Sequence, residues 1–163
     1  MGPIIYETVQ DAGKVDVAEL STFYTQQGHR TTGQPDKLRR MLENSSCFVT
    51  ARQGGRLIGI ARGVTDGVNG QLAECKLDVG FQGPGAVTRT DGRIEHDESG
   101  IAREMALRVI AALRTYGVEQ IHVLAYGTEV DFCEELGFKR VGGMVALQMD
   151  TAADVSAAAV AQS

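Results

Sequence analysis

The chain has 163 residues, 43% hydrophobic and 23% charged, which suits one globular domain able to bury a core. A formal net charge of −5 and only three scattered histidines argue against a nucleic-acid footprint and against a zinc centre, so neither nucleic acid nor metal is expected. No apolar run approaches the roughly 20 residues of a membrane span, and no basic-then-apolar leader opens the chain, so a cytoplasmic protein with no membrane partner is expected. Cys47, Cys75 and Cys133 are odd in number and far apart, as free thiols in a reducing compartment would be.

In chain order, residues 3–9 read as a first strand and residues 15–26 as a helix with Val17, Leu20, Phe23 and Tyr24 on its apolar side. After a polar connector, Pro35 opens a second helix where its missing N–H costs little. Residues 47–52 and 56–64 flank Gly54-Gly55 and predict a hairpin, and residues 72–79 complete a meander. A long amphipathic run follows, with Ile101, Met105, Val109, Leu113 and Tyr116 on one stripe and Gly117 at its stop. A strand over 121–125, a short helix from Val130 and a last strand are expected next, with residues 151–163 as an Ala-rich tail outside a single domain over 1–150.

Two motifs carry a resemblance. Gly100-x-Ala102 stands at the start of the long helix, and Phe132-Cys133-Glu134-Glu135-Leu136-Gly137-Phe138 closes the segment after the next strand. Together, at this spacing, they resemble the GNAT superfamily of N-acyltransferases over roughly residues 4–150. The resemblance implies an α/β (α+β) fold with a mixed, mostly antiparallel sheet, whose strands before and after the main helix lie parallel and splay apart. It also implies acetyl-CoA as co-substrate, a small-molecule primary amine as acceptor, and direct attack in a ternary complex. A homodimer is left open.

Residue by residue, the resemblance places the donor on main-chain groups of Leu77 and Val79, on the helix start Ser99, Gly100, Ile101 and Ala102, and beside Phe132. A helix start suits a pyrophosphate because its N–H groups are unpaired and point outward. Ser99 is equally a good ordinary helix cap. Tyr24, His29 and Arg30 fall where the acceptor wall would be. A protonated amine must lose a proton before it attacks, and the resemblance implies that a carboxylate on the strand before the main helix, or a water held by it, takes that proton. Glu74 is the first choice and Asp78 the second, since both lie on one side of that strand. Cys133 stands where the family has a tyrosine that protonates the departing thiolate. A thiol can do that or act as a nucleophile, and a small buried hydrophobe is the plainer reading. Tyr126 is the replacement acid or a cap on the splay. His122 reads as structural.

Departures from the pattern bear on the alternative, a GNAT fold with a degenerate CoA site that binds a metabolite or uses a long 80–98 loop for other chemistry. Asp97 stands where the family has Arg or Gln, and Glu98 adds a second carboxylate beside the phosphate site. Residues 80–98 form a longer connection than usual, in which residues 80–90 could make an extra hairpin and Arg89 or Arg93 could supply positive charge.

Overall fold

A computed structural model describes residues 2–28, 33–82 and 94–151. His29, Arg30, residues 83–90 of the expected hairpin with Arg89 among them, Arg93 and residues 152–163 of the tail lie outside the described residues. The element order is β1 (Ile4–Val9), α1 (Val17–Gln26), α2 (Pro35–Asn44), β2 (Cys47–Gln53), β3 (Arg56–Thr65), β4 (Asn69–Leu77), α3 (Ile101–Thr115), β5 (Gln120–Val123) and α4 (Val130–Glu135). The five strands form one sheet in the order β1-β2-β3-β4-β5, antiparallel throughout except for the parallel pair β4 and β5.

The sheet separates two apolar layers. On one face α1 and α2 bury Leu20, Phe23, Leu38 and Leu42 against Phe48, Leu57 and Ile60. On the other, α3 lays Ile101, Met105, Val109 and Leu113 over Val49, Ile58, Ala61 and Leu77. Gly63 lets α3 come that close, because a Cβ there would stand 2.8 Å from Val109 Cγ1 and 3.0 Å from Cys47 Sγ. The hairpin at Gly54-Gly55 and the helix stop at Gly117 form as the sequence predicts, all three at positive φ. No helix among the described residues is long and apolar enough to cross a membrane.

Three expectations change. First, β4 runs from Asn69 to Leu77 rather than over 72–79, because the Asp78 side chain accepts from the Gly80 N–H and turns the chain into a short 3-10 helix, Val79–Phe81. Second, the last expected strand is not formed. In residues 139–150, Val145, Leu147 and Met149 lie exposed, and β5 pairs only with β4. Third, His122 is exposed on β5 rather than buried as a structural group.

Parallel pairing of β4 with β5 covers only Asn69–Leu72 against Gln120–Val123. Beyond Leu72 the two strands part. The C-terminal half of β4 therefore faces a gap, and the site is built around it.

Candidate active site

Along β4 the side chains alternate, so Cys75 and Leu77 belong to the α3 layer while Glu74 and Lys76 point the other way. The main-chain groups of residues 75 and 77 point into the gap, where Glu95 meets the Cys75 carbonyl and the Leu77 N–H, while the next N–H, that of Asp78, donates the other way to the Ile58 carbonyl of β3 at 2.8 Å.

Residues 94–97 fill this gap. Ile94 makes a parallel bridge to Cys75, and the Glu95 N–H donates to the Cys75 carbonyl at 2.8 Å. The Leu77 N–H donates to Glu95 Oε1 at 2.8 Å, while the Leu77 carbonyl accepts from Gln27 Nε2 at 2.6 Å and Gln82 Nε2 at 3.1 Å. On the β5 side, the carboxylate of buried Glu129 accepts from the Ile94 N–H at 3.4 Å and the Tyr126 N–H at 2.9 Å. The His96 ring stacks on Phe132, 5.0 Å between centroids and 13° between planes.

Asp97 ends this stretch at the start of α3. Its carboxylate accepts from the Ala102 N–H at 3.0 Å, from the Ile101 N–H at 3.2 Å and from the Ser99 hydroxyl. Gly100, at φ +92°, takes the left-handed turn that brings Asp97 back over the helix axis, and a side-chain-bearing residue would be strained there. Ser99 is therefore not the cap that the sequence suggested; Asp97 caps from further back. The acid points straight at the helix start, while Glu98 is exposed.

The α1 side of β4 carries the predicted base. Glu74 is buried, and its Oε1 accepts from Arg62 Nε at 2.9 Å and from the Tyr24 hydroxyl. Burial, then the Glu74 charge, pushes the Tyr24 phenol well above its ordinary range, so it stays protonated. Tyr24, read from sequence as a substrate contact, is wholly buried, with its hydroxyl on Glu74 and 3.7 Å from Met41 Sδ. Asp78 lies just past the strand, its carboxylate 3.2 Å from Arg56 Nη1. Together with Phe23, Gln26, Gln27 and Val79 it lines a pocket of about 250 Å³. Gln27 Oε1 is the one buried side-chain polar atom among the described residues that has no hydrogen-bond partner.

Cys133 is buried in the α3 layer, where desolvation, then Glu129, pushes its thiol up to about 11. It packs as a small hydrophobe. Tyr126 is the half-buried residue just before a 3-10 turn, Gly127–Glu129, and its N–H shares the Glu129 carboxylate with the Ile94 N–H of the gap. Burial raises Glu95 above the usual carboxylate range, against the lowering effect of Lys76, whose Nζ lies 3.7 Å from Glu95 Oε2. No group of three His, Cys, Asp or Glu among the described residues could hold a metal.

Sequence reasoning missed Gln27, Arg62, Glu95 and Glu129. Only Arg62 left a signal: a cation among apolar residues of a central strand, where an unpaired charge is costly.

No protein-family model matches the sequence. No curated protein matches it either. Solved structures do match. A GNAT-family acetyltransferase from Streptococcus pneumoniae TIGR4 superposes with a TM-score of 0.61 at 17% identity, covering 91% of this chain and 100% of that one. An aminoglycoside N-acetyltransferase in complex with CoA gives 0.63 at 11% identity over 92% and 97% of the two chains. Glucosamine-6-phosphate N-acetyltransferase from Arabidopsis thaliana gives 0.62 at 10% identity over 90% and 99%. With its parallel pair parting beside the start of the longest helix, this chain has the fold of the GNAT-family acetyltransferases.

Proposed function

We propose that the chain is an N-acyltransferase that moves an acetyl group from acetyl-CoA to a primary amine of a small molecule. The observation that carries this reading is the anion already seated at the start of α3, where the Asp97 carboxylate takes the Ile101 and Ala102 N–H groups. That carboxylate stands in for a phosphate, so the cradle suits a pyrophosphate in kind. Ser99, Gly100, Ile101 and Ala102 would hold the pyrophosphate, Leu77 the amide arm, and Phe132 would line it, while Val79, past the end of β4, lines the pocket toward α1. Bound acetyl-CoA supplies the activated acyl carbon; the chain supplies position and proton transfer.

On the acceptor side, the pocket by Asp78 and Gln27 suits an amine. Its N–H groups would satisfy Gln27 Oε1, and Asp78 lies in the lining to take the proton. This reverses the order read from sequence, because Glu74 is buried beneath Arg62 and Tyr24, whereas Asp78, though it meets the Gly80 N–H and Arg56, lies in the pocket lining. Half-buried Tyr126 is assigned the general acid in preference to buried Cys133.

The second reading, a metabolite-binding protein with a degenerate donor site, is favoured by the filling of the gap. Titration with acetyl-CoA and CoA by calorimetry at low and moderate salt separates the two. Saturable binding that weakens with salt, followed by amine-dependent thiol release, is expected for the transferase. Thiol release from no amine despite CoA binding would overturn transfer, and Asp78→Asn should cut kcat about a hundredfold if Asp78 is the base.

A further inference from the structure

Resting on the donor reading above, we propose that residues 94–97 are an internal occupant of the donor groove, a strap that acetyl-CoA must displace in order to bind. The strap reproduces, in one short stretch, the three kinds of contact such a donor would make. Its main chain adds to the free edge of β4 through Ile94 and Glu95, as an amide arm would. Its Asp97 carboxylate takes the N–H groups at the start of α3, as a phosphate would. Its His96 ring covers Phe132. Two ligands cannot hold the same N–H groups at once, so strap and donor exclude each other.

The anchorage is graded along the strap. Ile94 and Glu95 are buried, His96 and Asp97 are half-buried, and Glu98 is exposed. Displacement therefore starts at Asp97, where the two competing anions meet, and proceeds toward Ile94. While the strap is in place, donor affinity is reduced by the fraction of molecules in which it has lifted. A strap that is down nine-tenths of the time weakens binding about tenfold. Anything that lifts it raises donor affinity without touching the donor.

The test compares the natural chain with Asp97→Ala and Asp97→Asn in two measurements. The first is amide hydrogen exchange at Glu95 without ligand, and the second is calorimetric titration with CoA. Asp97→Asn keeps a side-chain oxygen for the helix start and so guards against a variant that merely unfolds. Both variants should exchange the Glu95 amide faster and bind CoA about tenfold tighter, Asp97→Ala more than Asp97→Asn. Adding CoA to the natural chain should also speed exchange at Glu95. Equal CoA affinity in all three chains would overturn the strap while leaving the donor site standing. A freed Glu95 amide with no CoA binding in any chain would overturn the donor reading, and the strap's role with it.

Discussion

The two sides of the end of β4 differ in how their polar groups are met. Toward α3, Leu77 donates to Glu95, Cys75 accepts from Glu95, and the Ile101 and Ala102 N–H groups reach Asp97, all within the chain. Toward α1, a pocket about 250 Å³ in volume is bounded by the Asp78 carboxylate and by a Gln27 oxygen with no donor. A buried acceptor without a donor costs about 1–3 kcal/mol, so the α1 side gains from a ligand bearing N–H groups. The α3 side has nothing to gain from a ligand until it gives up contacts it already has. One β-strand thus presents a site that waits and a site that is occupied. Sequence reasoning treats both as open, because an internal occupant is visible only when distant residues are brought together.

The comparison breaks if the two sides are equally firm. Arg62 and Glu74 form a pair whose side chains are 19% and 11% exposed, and Tyr24 closes it from α1. Arg62→Met should leave the Glu74 carboxylate buried without a cation and cost about 3–5 kcal/mol in urea unfolding. Asp97→Ala removes only a helix cap and should cost about 1 kcal/mol. The α1 side would then be rigid and residues 94–97 loosely held. Equal losses would mean that the strap is as much a part of the folded core as the Arg62–Glu74 pair.

A smaller effect sharpens the other half. Gln27→Leu removes the unmet oxygen together with the Nε2 bond to the Leu77 carbonyl, so the gains and losses in stability offset to within about 1 kcal/mol. Its signature should lie in catalysis, as a roughly tenfold rise in KM for the amine with kcat little changed. A kcat loss at constant KM would place Gln27 on the donor side instead.

What the sequence made legible follows its range of interaction. The stripe of α3 from Ile101 to Leu113, the Gly54-Gly55 turn, Pro35 at the start of α2 and Gly117 at the stop of α3 are local signals that appear where predicted, while Tyr116, read as the end of that stripe, is the exposed residue just past the helix. The parallel, parting pair was legible through the resemblance. The cap of α3 was not, because Ser99 is an equally good local candidate and Asp97 wins only once Gly100 adopts positive φ. The return of Ile94 to Cys75 has no local signature either, since it is one apolar residue between Arg93 and Glu95. Glu74 was found and its burden missed, because Arg62 and Tyr24 reach it from other elements.

The smallest expected effect is on pH, and it acts only on the occupied side. Burial holds Glu95 above the usual carboxylate range; Lys76 and the Leu77 N–H oppose that shift, while Glu74 and Glu129 add to it. A carboxyl whose folded pKa is raised favours the folded contact in its protonated form. The strap's contribution is therefore full below the ordinary glutamate pKa of about 4.3 and fades as pH rises through the raised value. Protection of the Ile94 and Glu95 amides, corrected for intrinsic exchange, should fall across that interval and then level off. Glu95→Gln, which keeps the oxygen for Leu77 but cannot ionise, should flatten the profile. A profile that persists in Glu95→Gln would take the dependence away from Glu95 and sink this assignment. The pocket by Gln27 lacks this group, so amine affinity in the natural chain should not follow the same curve.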